Sequence, residues 1–177
     1  MTAARTTNIS EAMRGAVGSE LTRMVSFPVS ESDIRKWAIA VYYPEEPPRR
    51  FWDAEAAAAT RYGGIVAPED FNPFAWMTAE PSGLGGGASA AAGNPDSVEH
   101  SLGIDGPGLV NVLNGGLAVE YFEPIRPDDV ITAVARLGEY SERQGSLGLM
   151  LFTPRETSWT NQRGEVVKKS RMTLIRY

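Results

Sequence analysis

Four long β-prone segments fill the chain after residue 110, and they constrain its fold more than any other feature. Val112–Phe122, Val130–Tyr140, Ser146–Thr160 and Glu165–Tyr177 are separated by turn signals at Pro124–Asp129, Ser141–Gly145 and Asn161–Gly164. Short links between successive strands predict an antiparallel meander, because parallel pairing needs a crossover of a dozen or more residues. The stretch Leu147–Phe152 is apolar on both faces. Its strand is therefore expected to be central and covered twice, on one side by a helix from the first half of the chain and on the other by a second subunit.

The first half reads as helices. Residues 1–8 are polar and expected to fray, and Ile9–Val17 reads as a short helix ended by Gly18. Thr22–Val29 reads as a strand that Pro28 confines to an edge or an end. Ser30-Glu31-Ser32-Asp33 opens a helix whose Ile34, Trp37, Ala38, Val41 and Tyr42 fall on one face. Three prolines in Tyr43–Arg50 make that stretch a loop. Asp53 is a natural N-cap for a second helix over Ala54–Tyr62, with Gly63 beyond its end. Pro68-Glu69-Asp70 opens a third, carrying Phe71, Phe74, Ala75 and Met77 and stopped by Pro81. Helices followed by strands predict an α+β domain: an N-terminal arm over 1–18 and a single domain over 19–177. A Gly/Ala-rich insertion at about 81–110 breaks the pattern, and reads either as a disordered surface loop or as a lid over a site.

Composition excludes several chemistries. With no cysteine there is no disulfide, thiol nucleophile or zinc finger, and one histidine, His100, cannot build a multi-His zinc site. No metal is expected. A net charge of −5 without a basic stripe offers no footprint for nucleic acid. No apolar run approaches the ~20 residues that span a bilayer, and the N-terminus lacks the apolar core of a signal peptide, so a cytoplasmic protein off the membrane is expected. Gly83-x-Gly85-Gly86-Gly87 lacks the flanking strand and the Lys-Ser/Thr of a phosphate loop.

Three motifs carry a resemblance. Arg61-Tyr62-Gly63-Gly64-Ile65-Val66-Ala67-Pro68 resembles a GGxxAP turn. Leu113-Asn114-Gly115-Gly116 followed by Glu120–Asp129 resembles an HGG…EYxRPLRPGD segment. Phe152–Gly164, with Glu156-Thr157 and Asn161-Gln162, resembles an F…ETxYxNQxGE strand pair. In this order they resemble the MaoC-like dehydratases and (R)-specific enoyl-CoA hydratases, in the FAS1-like or N-terminal dehydratase branch, over roughly residues 20–177. The resemblance implies a hot-dog fold, a curved antiparallel sheet wrapped around a central helix. It also implies substrates carried as thioesters on coenzyme A or acyl carrier protein, no other cofactor, and pairing with a second hot-dog subunit as a hetero- or homodimer. The reaction is reversible addition of water to an enoyl thioester, which needs an acid/base pair and an N–H donor for the enolate-like oxygen.

Active members supply that pair from a D-x-N-P-x-H loop before the second helix. Here the His position falls on Phe51, the Asp position on Glu46, and the N-P pair becomes Pro48-Arg49. A phenyl ring transfers no proton. The chain is therefore expected to lack its own Asp/His pair and to serve a catalytic hot-dog partner. Two alternatives stand beside this: a self-sufficient hydratase or thioesterase using Glu46, Asp53 or His100, and a non-enzymatic homodimer that holds an acyl thioester. Asp53 and Glu55 are equally explained by capping and solvation, and His100 by a solvated loop. Tyr62, Gly63, Gly64, Asn114, Gly115 and Gly116 are the candidate substrate-binding residues. Gly permits close backbone approach to a ligand, although a helix end and a β-bulge explain the same glycines. Lys168, Lys169 and Arg171 either meet coenzyme A phosphates or form a solvated strand face. Trp37, Trp52, Trp76 and Trp159 are read as core or interface residues.

Overall fold

The computed structural model describes residues 7–75 and 93–177. Helix α1 (Glu11–Gly15) and strand β1 (Glu20–Val25) precede the long helix α2 (Glu31–Tyr42), a 3-10 turn (Arg49–Phe51) and helix α3 (Ala54–Ala58). A short helix α4 (Ser97–Ser101) leads into β2 (Val112–Tyr121), β3 (Thr132–Leu137), β4 (Ser141–Gly145), β5 (Gly148–Thr160) and β6 (Val166–Arg176). All strand pairs are antiparallel, in the order β1-β3-β5-β6-β2, with β4 also on β5.

The expected α+β class and central β5 are found, but the meander is not. β2 pairs with β6 at the far edge, not with β3. The reason lies in the connection after β2. Ile125 is buried, and its carbonyl accepts the Ala67 N–H at 2.8 Å. The link is thus a strap across the core, not a hairpin turn. Residues 141–145, expected to turn, form β4 and pair with Gly148–Phe152. Pro154 sits mid-β5 and has no N–H to donate. Its carbonyl accepts the Gly138 N–H at 2.8 Å, and a Cβ on Gly138 would come within 2.9 Å of the Pro154 ring. The chain breaks there, and β3 and β4 pair with successive lengths of β5.

Two apolar clusters lie at the ends of the sheet. Ile34 and Ala38 of α2 join Phe51, Val66, Phe71, Phe74 and Ile131 in the larger one. Ser30 caps this helix as its sequence predicts: its Oγ accepts the Asp33 N–H at 3.1 Å, worth about 1 kcal/mol. Met13, Leu137, Tyr140 and Leu151 form the smaller cluster. The N-terminal arm is anchored from residue 7 onward, because Thr7 Oγ1 and the Asn8 N–H both donate to the Glu142 carboxylate at 2.6 Å. The third helix expected from Pro68 is a pair of turns as far as Ala75; Met77, Trp76 and the Gly83–Gly87 run lie outside the described residues.

The opposite face of the sheet is charged. Glu20, Arg136, Glu156 and Arg171 lie in register across β1, β3, β5 and β6. Arg136 pairs with Glu20 at 3.3 Å and Arg171 with Glu156 at 3.9 Å. Ala118 and Val134 lie beside this charged row on the same face.

Candidate functional site

Three segments converge beside Phe51. The Val66 N–H donates to the Arg50 carbonyl, the Ala67 N–H to the Ile125 carbonyl, and the Phe122 N–H to the Val167 carbonyl. They enclose a cavity of about 430 Å³. Its apolar lining comes from Val41, Tyr42, Phe51, Val66 and Ile125; its polar lining comes from Arg50, Arg61, Tyr62, Glu69, Asp70, Tyr121, Glu123 and Lys168. Phe51 is 3% exposed. Its ring packs 5.9 Å from that of Tyr42 and carries the Arg50 guanidinium 4.3 Å from its centroid.

The proton-bearing groups of this cavity come from elsewhere in the chain. Tyr121 donates its O–H to Asp70 Oδ1 at 2.8 Å. Burial, then this bond and the charge of Asp70, push the phenol up to about 12, so Tyr121 stays a neutral donor. Lys168 places Nζ 3.6 Å from the Trp159 ring centroid. Burial pulls its ammonium below the usual lysine range, partly offset by Asp70. Neither Asp70 nor Tyr121 stands out in the sequence: the two are 51 residues apart, and only the fold joins them. Arg50 and Arg61 were likewise missed; each guanidinium lies over the ring of the residue that follows it.

Of the residues singled out from the sequence, Tyr62 and Lys168 line this cavity. Gly63 and Gly64 belong to the turn behind it and are not part of its wall. Asn114, Gly115 and Gly116 form a β-bulge on the exposed strand β2, where Asn114 Oδ1 accepts the Gly116 N–H at 2.8 Å and Gly116 adopts φ 110°. Glu46 is exposed in its loop, and Glu55 on α3. Asp53 caps α3 by accepting the Ala56 N–H at 3.0 Å, and it pairs with Arg49. Those contacts, the backbone bond first, hold its carboxyl below the usual range. His100 is exposed on α4, with Nδ1 2.9 Å from Asn94 Nδ2. None of Glu46, Asp53 and His100 reaches the cavity. Lys169 and Arg171 lie on the charged outer face, along a more open depression of about 500 Å³. Among the described residues no cluster of His and carboxylate groups has the arrangement of a metal site.

The segment read as a loop or lid holds a second group of charges. Arg176, fully buried, donates to Glu99 Oε1 at 2.7 Å and Oε2 at 3.0 Å, to Asp96 Oδ1 at 2.8 Å, to Thr153 Oγ1 at 2.8 Å and to the Pro95 carbonyl at 2.9 Å. Tyr140 donates to Glu99 Oε1 at 2.6 Å. Burial would raise the Glu99 carboxyl, but the bonds from Arg176 and Tyr140 outweigh it and hold it low. Residues 93–108 are thereby fixed to β5 and β6, which corrects the expectation of a patternless loop there.

The fold and the cavity can now be set beside known proteins. Residues 15–170 match the model of the FAS1-like dehydratase domain region. The chain belongs to this family. It is a hot-dog protein, and solved hot-dog structures align over most of it. The ChsH1–ChsH2 complex of Mycobacterium tuberculosis matches with a TM-score of 0.65 and 19% identity, over 96% of this chain and 89% of that one. The MaoC-like dehydratase of Rhodospirillum rubrum gives a TM-score of 0.52 and 21% identity, over 92% of each chain. The R-hydratase PhaJ1 of Pseudomonas aeruginosa gives 0.51 and 19%, over 90% of this chain and 81% of that one. No curated protein gives a significant match.

Proposed function

We propose that this chain is the non-catalytic hot-dog subunit of an (R)-specific enoyl thioester hydratase or 3-hydroxyacyl thioester dehydratase. It holds the acyl group of a coenzyme A or acyl carrier protein thioester in the cavity beside Phe51, and it leaves the proton chemistry to a second hot-dog subunit. The observation that carries this reading is the burial of Phe51 in the cavity wall, the residue that the motif resemblance sets against the family's histidine. A buried phenyl ring shapes an acyl pocket but can neither deliver nor accept a proton.

We place the partner on the edge of the sheet. β2 is an edge strand of ten residues, nearly all exposed, beside Tyr121, Phe122, Glu123 and Pro124 of the cavity wall. Leu117 is 65% and Phe122 50% exposed. A long apolar edge is a template for strand addition, and a subunit seated on it would adjoin the cavity. The similarity to a heteromeric complex, ChsH1–ChsH2, supports a hot-dog partner of this kind.

The test is hydration of crotonyl-CoA, followed by loss of enoyl absorbance. The purified chain alone gives no turnover above background, and turnover appears on adding the hot-dog protein that co-purifies with it from the native source. Brisk hydration by the chain alone would overturn the proposal.

A further inference from the structure

Lys168 is the one group of the cavity with nucleophilic chemistry that a subunit without its own acid/base pair leaves unused. It lies between Tyr121 on β2 and Trp159 on β5, in register with both. Its Nζ rests on the Trp159 face, whose other neighbour is the Phe74 ring, edge-on at 5.0 Å. Lys36, by contrast, is exposed and pairs with Asp33 at 3.9 Å, while Lys169 lies on the outer face. No ion pair engages Lys168 among the described residues. Withdrawal from water in the cavity wall favours the free amine that attacks carbonyl carbon, against the pull of the Trp159 face and of Asp70 on the ammonium.

We infer that Lys168 is a self-acylation site, which accepts the acyl group of a thioester bound in the Phe51 cavity. This rests on the reading of that cavity as an acyl thioester pocket. The step balances without a further reactant. The unprotonated ε-nitrogen adds to the thioester carbonyl carbon, and the tetrahedral adduct collapses with cleavage of the C–S bond. The sulfur leaves with the bonding pair and takes up the proton that nitrogen loses. The products are an N-acyl-lysine amide and the free carrier thiol, with no change of oxidation state. Asp70 lines the same cavity, and its charge acts on Lys168. Acylation removes the cation from the cavity wall and fills part of the pocket, so it would close the subunit to further ligand.

The experiment uses the chain with whatever partner co-purifies. It is incubated with butyryl-CoA at pH 8, and acylation is followed by peptide mapping and mass spectrometry. S-butyl-CoA, a thioether that cannot transfer its alkyl group, serves as competitor, and its own binding is measured separately. Lys168 is expected to be butyrylated at least tenfold faster than Lys36 and Lys169 in the same digest, and the competitor is expected to suppress that excess. In a Lys168→Arg variant the competitor-sensitive excess should vanish from the digest, with Lys36 and Lys169 labelled at their former rate. Labelling of Lys168 no faster than Lys36 while S-butyl-CoA binds overturns the inference and leaves the pocket reading standing. Fast labelling that the competitor does not suppress also overturns it. Failure of S-butyl-CoA to bind removes the pocket reading, and the inference with it.

Discussion

The two charged regions of this protein differ in how completely their groups are paired. Around Arg176 a buried guanidinium meets two carboxylates, a hydroxyl and a carbonyl, and Glu99 takes a further bond from Tyr140. Around Phe51, Arg50 and Arg61 lie over rings and Lys168 over an indole, while Asp70–Tyr121 and Arg61–Tyr62 are single hydrogen bonds between polar side chains. Burial dictates the difference. Charges without water must be paired almost to capacity, so the Arg176 cluster can hold a segment in place but has little left to offer a ligand. Groups on an open cavity tolerate partial pairing and keep donors and acceptors in reserve. The exposed edge strand beside the cavity belongs to the same unfinished side of the molecule.

The sharpest way to break this contrast is to remove the guanidinium. Arg176→Met leaves Glu99 and Asp96 buried without their cation, a loss of about 3–5 kcal/mol. For a domain of this size each kcal/mol lowers the melting temperature by roughly 2–4 °C, so calorimetry should show a fall of about 10 °C. The pH dependence changes sign with it. In the native protein Glu99 sits below its unfolded value, so its stabilisation is complete above pH ~4.5 and is lost as pH falls through the lowered value. In Arg176→Met, burial raises Glu99 instead, and acidification should recover stability in urea titrations. A variant as stable as wild type would show the cluster to be dispensable.

A smaller perturbation reaches the same cluster through space alone. A Cβ on Gly106 would lie 2.2 Å from Asp96 Cγ. Asp96 cannot retreat without giving up Arg176 and the Gly108 N–H, which it accepts at 2.8 Å. Gly106→Ala should cost about 1–3 kcal/mol, read as a shifted urea midpoint at unchanged slope. It should leave ligand binding at the Phe51 cavity untouched. An equal loss at both regions would mean that they form one cooperative unit.

Legibility in the sequence follows the same division. The Ser30 and Asp53 caps, the apolar face of α2 and the central place of β5 could be read because each rests on neighbours a few residues away. Phe51 was also legible as a residue that carries no proton, since that needed only the local sequence. The β2–β6 pairing was not, because the strap through Ile125 looks in sequence like an ordinary proline turn. The break between β3 and β4 depends on Pro154 lying opposite Gly138, a contact made across strands. Glu99, in a Gly-rich stretch, gives no sign of an arginine 77 residues away. For the same reason Asp70 and Tyr121 were missed, while the Gly-rich Asn114–Gly116 stretch was weighed as a binding element and is a bulge.

On the cavity side the expected effects are smaller and depend on alkaline pH. Tyr121 has its folded pKa raised to about 12 from an unfolded value near 10. Its contribution is therefore full below pH 10 and is lost as pH rises through 12. Tyr121→Phe should cost about 1 kcal/mol or less at pH 7, because both partners are exposed and water replaces the bond. It should also flatten the alkaline limb of stability relative to wild type, while Tyr140, raised by burial and by Glu99, keeps its own share. An unchanged alkaline limb would show that the Asp70–Tyr121 bond does not persist in solution.

His100 gives the smallest expected effect and the most direct check on the division. It stands one residue from Glu99, a fully buried and paired carboxylate, yet its own ring is exposed beside Asn94. Adjacency in sequence confers no share in the cluster, because successive residues of a helix point in different directions. His100→Gln keeps a polar group beside Asn94 and should change stability by no more than about 0.5 kcal/mol. It should also leave S-butyl-CoA binding and any hydration by the assembled complex unchanged. A large loss of either would make the only histidine a working part of the site, and would overturn the proposal that this chain leaves the acid/base chemistry to a partner.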